Sequence, residues 1–224
     1  MQLDAIVLDL DDTLYDTTRL LLPWADRRAI AALRGAGLEI DEDCAMARLR
    51  ELRLSGVWSF APLVERHVRR DEFVRIAESA WFAYHPPPMT LETRVERALD
   101  DLAELAPLAL LTSGDPATQR GKVDRLGIAE RFAVLVLVPR DAAGAKPAAL
   151  AELLAARAWR PERVIVCGDR PDADIRAAHR NGCRGVLVRS AGAEFAAVKA
   201  TTPDDVPWRT IEHVAELAPI LRTS

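Results

Sequence analysis

Five short apolar runs constrain the fold most: Ala5 to Leu8, Leu108 to Leu111, Phe132 to Val138, Val164 to Cys167 and Gly185 to Val188. Val, Leu and Ile follow one another there without polar alternation, which marks strands covered on both faces and hence a parallel sheet. Helical patterns separate the runs. Leu91, Val95, Leu99, Leu102 and Leu105 recur at helical spacing, and Asp115-Pro116 offers an N-cap followed by a first-turn proline. Strand alternating with helix predicts an α/β fold, a doubly wound Rossmann-like parallel sheet.

The alternation breaks from about Thr17 to His85, where several helix patterns follow one another with no convincing strand. This stretch reads as an inserted α-helical domain. Its last helix places Phe73, Ile76, Ala77, Ala80, Trp81 and Tyr84 on one stripe, begins near Asp71, and is stopped by His85-Pro86-Pro87-Pro88. The reading divides the chain into a core of residues 1–16 and 87–224 and a helical domain of residues 17–86.

Half of the 224 residues are hydrophobic, ample for a sizeable core, and a net charge of -4 gives no basic face for nucleic acid. Cys44, Cys167 and Cys183 are too few and too irregularly spaced for a disulfide framework or a zinc site, which fits a reducing compartment. Met1 leads into a strand-like segment with no long apolar stretch, so the expectation is a cytoplasmic protein that engages neither membrane nor nucleic acid. It is expected to be a monomer or homodimer. The Arg-rich segments Arg48 to Arg53 and Arg66 to Arg70 read as solvated helix faces.

Where the first apolar run ends, Asp9-Leu10-Asp11-Asp12-Thr13 delivers two carboxylates spaced two apart into a turn. Residues two apart on a strand share a face, so Asp9 and Asp11 crowd like charges unless the chain turns or a cation sits between them. Magnesium, which takes oxygen ligands and completes its shell with water and phosphate, is the natural partner. Taken alone, the segment also reads as a polar turn leaving a buried strand.

The segment resembles the first motif of the haloacid dehalogenase-like hydrolases, in which Asp-x-Asp-x-Thr follows the first strand. The family's remaining motifs follow in order. Leu108-Ala109-Leu110-Leu111-Thr112-Ser113-Gly114-Asp115 is similar to the second, Gly144-Ala145-Lys146-Pro147 to the third with its loop Lys, and Val164-Ile165-Val166-Cys167-Gly168-Asp169 with Asp174 to the fourth. The helical insertion falls where the family carries a lid-like cap. The resemblance implies a magnesium-dependent phosphatase for a small phosphorylated substrate such as a sugar phosphate, phosphoglycolate or nucleoside monophosphate.

Carried over residue by residue, the resemblance makes Asp9 the nucleophile that forms an aspartyl-phosphate and Asp11 the acid that protonates the leaving oxygen. Thr112 would donate to a phosphoryl oxygen, helped by the amides of Ser113 and Gly114, and Lys146 would neutralise charge. Magnesium would be held by the Asp9 carboxylate, the Asp11 carbonyl and Asp169, with Asp174 orienting water or Lys146. Each role has a plainer structural counterpart: a cap for Thr112, a solvated turn for Lys146, first-turn acids for Asp172 and Asp174. Lys122, a rival cation, lies mid-helix and is expected to face solvent. Arg170 stands where many relatives have Ser and reads as a surface Arg, or as one that narrows the pocket or binds a substrate anion; Ser113 stands where many have Asn, and Ala148-Ala149 follows Lys146-Pro147 in place of Asp-Pro. In the insertion, Trp24, Trp58, Phe60, Trp81, Tyr84 and His85 are the aromatic candidates; most read as core, with Trp58-Ser59-Phe60 a loop able to touch substrate. A phosphomutase using the same Asp9 and a catalytically idle binding protein are the competing readings, whereas a receiver-type signalling module is excluded by length and layout.

Overall fold

The structure, a computed structural model, describes residues 2–82, 88–139, 145–190 and 198–223. Expectations for Tyr84, His85, Pro86, Pro87 and Gly144 fall outside these residues. The chain divides into two compact units, Met1–Asp16 with Met89–Ser224, and Thr17–Pro88.

In the first unit, six parallel strands run β1 Ala5–Leu8, β2 Leu108–Ser113, β3 Val134–Val138, β4 Val164–Gly168, β5 Arg184–Val188 and β6 Arg209–Ile211. Their order across the sheet is β3-β2-β1-β4-β5-β6. Every residue of β1 is fully buried, as its unbroken apolar run requires of a central strand. Successive side chains serve opposite faces. Ile6 and Leu8 join Leu108, Leu110, Ile165 and Cys167 beneath helices α4 Thr93–Ala103 and α5 Pro116–Leu126. Ala5 and Val7 join Ala109, Leu111, Val164 and Val166 beneath α6 Ala145–Arg157 and α7 Arg176–Arg180.

Two details depart from the sequence reading. β3 lies at the sheet edge and is only half-buried over most of its length, because one flank has no neighbouring strand. β6 has no counterpart among the apolar runs: three residues, two of them exposed, carry too little periodicity to register, and pairing with β5 defines the strand. A final short helix, α8 Leu217–Arg222, packs Leu217 and Ala218 into the first face.

Behind β5 and β6, the buried Asp205 closes the 3-10 turn Pro203–Asp205 and ties it to α7. Its carboxylate accepts two bonds from the Arg176 guanidinium, at 2.7 and 2.9 Å, and others from the Thr201 and Thr202 amides, at 2.9 and 3.0 Å. The Arg176 bonds lead the causes that hold this carboxyl far below the usual range. A depressed acid stabilises the fold above its unfolded pKa and loses that contribution as pH falls through the folded value. Asp205→Asn should therefore cost about 1–3 kcal/mol at pH 7, with the deficit closing in acid below about pH 4, measured by chemical denaturation across pH.

The second unit contains α1 Leu22–Gly35, α2 Glu42–Leu54 and α3 Arg70–Phe82, and its described residues include no strand. Its core joins Ala29, Ile30 and Leu33 to Leu49, Phe60, Phe73 and Ala77, with Ile76 and Trp81 of the α3 stripe packed against it. Phe60 belongs to this core, while Trp58 is partly exposed. Arg53 is buried, contrary to the solvated-face reading of Arg48 to Arg53. It forks onto the Asp26 carboxylate, which also accepts the Trp81 indole N–H at 3.0 Å. No local signal marks Arg53, since Asp26 sits on α1. Among the described residues no helix is long and apolar enough to cross a membrane.

Candidate active site

In open α/β sheets a ligand crevice lies beyond the carboxyl ends of the strands, where chain order reverses. Here that place is the end of β1, between β2 and β4. The Asp9 amide still donates to the Cys167 carbonyl at 2.9 Å, extending the ladder one residue past β1. The chain then doubles back: the Leu10 carbonyl accepts the Leu14 and Tyr15 amides at 2.9 and 3.1 Å, and the Asp12 amide donates to the Tyr15 carbonyl at 2.8 Å. Asp12 sits at the left-handed φ of 54° that this reversal demands, a conformation Asp tolerates better than most residues. The turn carries Asp11 out of the strand, although its charge still helps to raise Asp9.

Asp9, Asp169 and Asp174 are all buried and can each place a carboxylate oxygen within 4.8 Å of the others. Lys146 is their one ammonium partner among the described residues, bonding Asp9 Oδ1 at 2.8 Å and Asp174 Oδ1 at 2.5 Å. Lys146 lies in the first turn of α6 and not in a loop, so a helix fixes it and buries its stem. Burial, resisted by Lys146 and reinforced by Asp174, pushes the Asp9 carboxyl up to about 7. Burial and the charge of Asp9 push Asp169 well above its ordinary value. Burial alone would discharge Lys146, but Asp174 and Asp9 outweigh it and raise its pKa.

Asp174 is held from two sides, by Lys146 and by the Arg170 amide, which donates to Oδ2 at 3.0 Å. Gly168 makes room for it. A Cβ at position 168 would overlap the Asp174 carboxyl, so the last residue of β4 must be glycine for that acid to lie against the strand end. The Arg170 guanidinium is half-buried and pairs with Asp172 at 2.7 Å.

Asp11 belongs to a second group. Lys122 Nζ bonds both of its oxygens, at 2.6 and 2.8 Å, and Gln119 Nε2 donates to Asp11 Oδ2 at 2.9 Å and to Thr112 Oγ1 at 2.7 Å. Lys122 is therefore buried, not solvent-facing. Gln119 is absent from the sequence reading, although a signal exists: Gln119 and Lys122 lie on the same helical stripe as Val123 and Leu126, which pack inward. Thr112 ends in this network while Asp115 caps α5, accepting the Thr118 amide at 2.8 Å. The Gly114 amide donates to the Val138 carbonyl at 2.9 Å, which corrects its assignment as a phosphate donor; Ser113 is half-buried at the end of β2.

A hard divalent cation fits the first group. Its donors are all carboxylate oxygens, and Asp169 Oδ2 is buried without a hydrogen-bond partner among the described residues, an orphaned acceptor that a cation would satisfy. Thr13 Oγ1 is likewise buried and unpartnered. Asp11 sends its carboxylate to Lys122 and Gln119 instead.

The chain is 31% identical to the glyceraldehyde 3-phosphate phosphatase of Methanopyrus kandleri, the alignment covering 97% of each protein. It is 29% identical to the protein of the same name from Pyrococcus furiosus, over 83% of this chain and 80% of that one. Among solved structures, a magnesium-bound HAD-hydrolase of Bacillus subtilis superposes with a TM-score of 0.66 at 20% identity over 99% of both chains, a likeness of fold. The model of the haloacid dehalogenase-like hydrolases matches residues 3–182, taking in the acids after β1, the Thr near the end of β2, the α6 lysine and the acids after β4, and the chain belongs to that hydrolase family.

Proposed function

We propose that this hydrolase is a magnesium-dependent phosphatase of small phosphorylated metabolites, with a phosphorylated three-carbon aldehyde as its preferred substrate class. The observation that carries the reaction is the cluster of Asp9, Asp169 and Asp174 at the strand ends, with Lys146 on two of the acids and Asp169 Oδ2 unpartnered. The substrate class comes from the names of the two relatives above.

In this reading Asp9 attacks phosphorus as its bond to the leaving oxygen breaks, and Asp11 gives that oxygen a proton. Water then attacks the Asp9-bound phosphoryl group, Asp11 takes the water's proton, and Asp9 is released with inorganic phosphate. Lys146 offsets part of the burial that disfavours the ionised, nucleophilic form of the Asp9 carboxylate. Thr112 holds a phosphoryl oxygen through its hydroxyl. Asp9 and Asp169, with the Asp11 carbonyl, would hold magnesium, which neutralises charge on the transferring group when bound; Asp174 fixes Lys146. Residues 17–86 serve as the cap that selects the substrate.

The test is phosphate release from glyceraldehyde 3-phosphate, phosphoglycolate, a nucleoside monophosphate and an aryl phosphate, each with magnesium and with chelator. Turnover that chelator abolishes, with the highest kcat/KM for glyceraldehyde 3-phosphate, is expected. Turnover indifferent to chelator would sink the metal assignment, and no release from any of them would sink the phosphatase. A requirement for a sugar bisphosphate activator would transfer the reading to a phosphomutase.

A further inference from the structure

Resting on that reading, we propose that Lys122 and Gln119 are positioning residues for the reaction, together aiming the Asp11 carboxyl and the Thr112 hydroxyl. Lys122 reaches both Asp11 oxygens from one buried ammonium, so the carboxyl is gripped as a fork and not by one edge. Gln119 then joins the two functional groups. Its amide nitrogen has two hydrogens, and its two bonds run to Asp11 Oδ2 and Thr112 Oγ1. The Thr112 oxygen accepts from Gln119, so its own hydrogen must point elsewhere, which leaves the hydroxyl as a donor.

In the state where Lys122 bonds both Asp11 oxygens, turning the amide over would set the Gln119 carbonyl against the Asp11 carboxylate. Space fixes it as well. A Cβ on Gly114 would come within 2.9 Å of Gln119 Cγ, so glycine at 114 is what lets the side chain lie there. Gln119 and Lys122 are three apart on α5, one turn of a helix whose start is pinned by its Asp115 cap. Two donors on a rigid helix thus meet a carboxylate delivered by a loop.

A carboxyl that protonates a leaving oxygen matters in proportion to that oxygen's basicity. An alkoxide cannot depart without the proton, whereas a dinitrophenolate can. Disturbing the aim of Asp11 should therefore damage alkyl phosphates selectively. General acid catalysis contributes about 10²–10⁴-fold, so Lys122→Met should lower kcat/KM for glyceraldehyde 3-phosphate, which excludes the shared hydrolysis of the Asp9-bound phosphoryl group, by roughly 10²-fold. The loss in kcat/KM for 2,4-dinitrophenyl phosphate should stay under about tenfold, because the proton contributes little to that leaving group. Gln119→Glu keeps the side chain's shape while replacing a donor with an acceptor that faces Asp11, and should show the same selectivity; Lys122→Arg should recover part of the alkyl rate. Thermal melts accompany each variant, and the Gln119→Glu result stands if Lys122→Met fails to fold. Equal losses on both phosphates, or none, would overturn the positioning role while the phosphatase stands. Wild-type protein inactive on both would instead overturn the phosphatase and this role with it.

Discussion

Asp9→Asn should lower phosphate release by about 10⁴-fold or more, the scale of losing a nucleophile. The same change should not weaken the metal-free fold. Asn keeps an oxygen to accept from Lys146, and it removes a carboxylate whose pKa burial has raised from 3.8 to about 7. An acid raised in this way has a folded state that resists ionisation while the unfolded chain ionises freely. Its contribution to stability therefore falls as pH climbs from about 4 to 7. In chelator at pH 8 the variant should melt no lower than the parent, and its relative advantage should shrink as pH is taken down toward 4. Phosphate release, acid-quench trapping of a phosphoenzyme and melts on one preparation check all of this; activity within tenfold of the parent would remove Asp9 from the nucleophile's role.

Lys146→Met is expected to behave in the opposite sense, losing activity and stability together. It strands Asp9 and Asp174, both buried, with no ammonium between them, and leaves Asp169 beside them. Removing one partner of a buried ion pair costs about 3–5 kcal/mol, more than replacing the whole pair by apolar groups. The denaturation midpoint in chelator should fall accordingly. Magnesium should restore part of it, since a ligand that binds the folded state stabilises it by mass action. A Lys146→Met protein as stable as its parent in chelator would mean that the three acids are already neutral there.

Much of the fold and site is legible in the sequence because it is local. Apolar runs locate β1, β2, β4 and β5, and a strand end followed by acids locates Asp9 and Asp169, since carboxylates buried at a strand end demand a cation or a set of donors to offset their desolvation. Phe73, Ile76, Ala77 and Trp81 of the α3 stripe pack as the spacing predicts. What is not legible depends on contacts between distant segments. Lys122 looks solvated in a polar helix until Asp11 arrives from 111 residues away, and Gln119 has no meaning until Thr112 and Asp11 flank it. Arg53 is hidden for the same reason, its partner Asp26 lying 27 residues back. β6 is too brief to show a pattern, and β3 reads as buried because an edge strand can be as apolar as a central one. The Gly114 amide looks free in sequence because it precedes the N-terminus of α5, and only the sheet shows that Val138 already takes it.

Gly168 sets a limit on how this chain can vary. Any single-nucleotide change in a glycine codon that substitutes another residue supplies a Cβ, and a Cβ there occupies the volume of the Asp174 carboxyl. A residue without a functional group is thus bound to the fate of one that holds Lys146. In a mutational scan it would look like a reacting position, although it contributes only vacancy. Invariance at the end of β4 would then measure the room that an acid needs and not any chemistry performed by the residue itself.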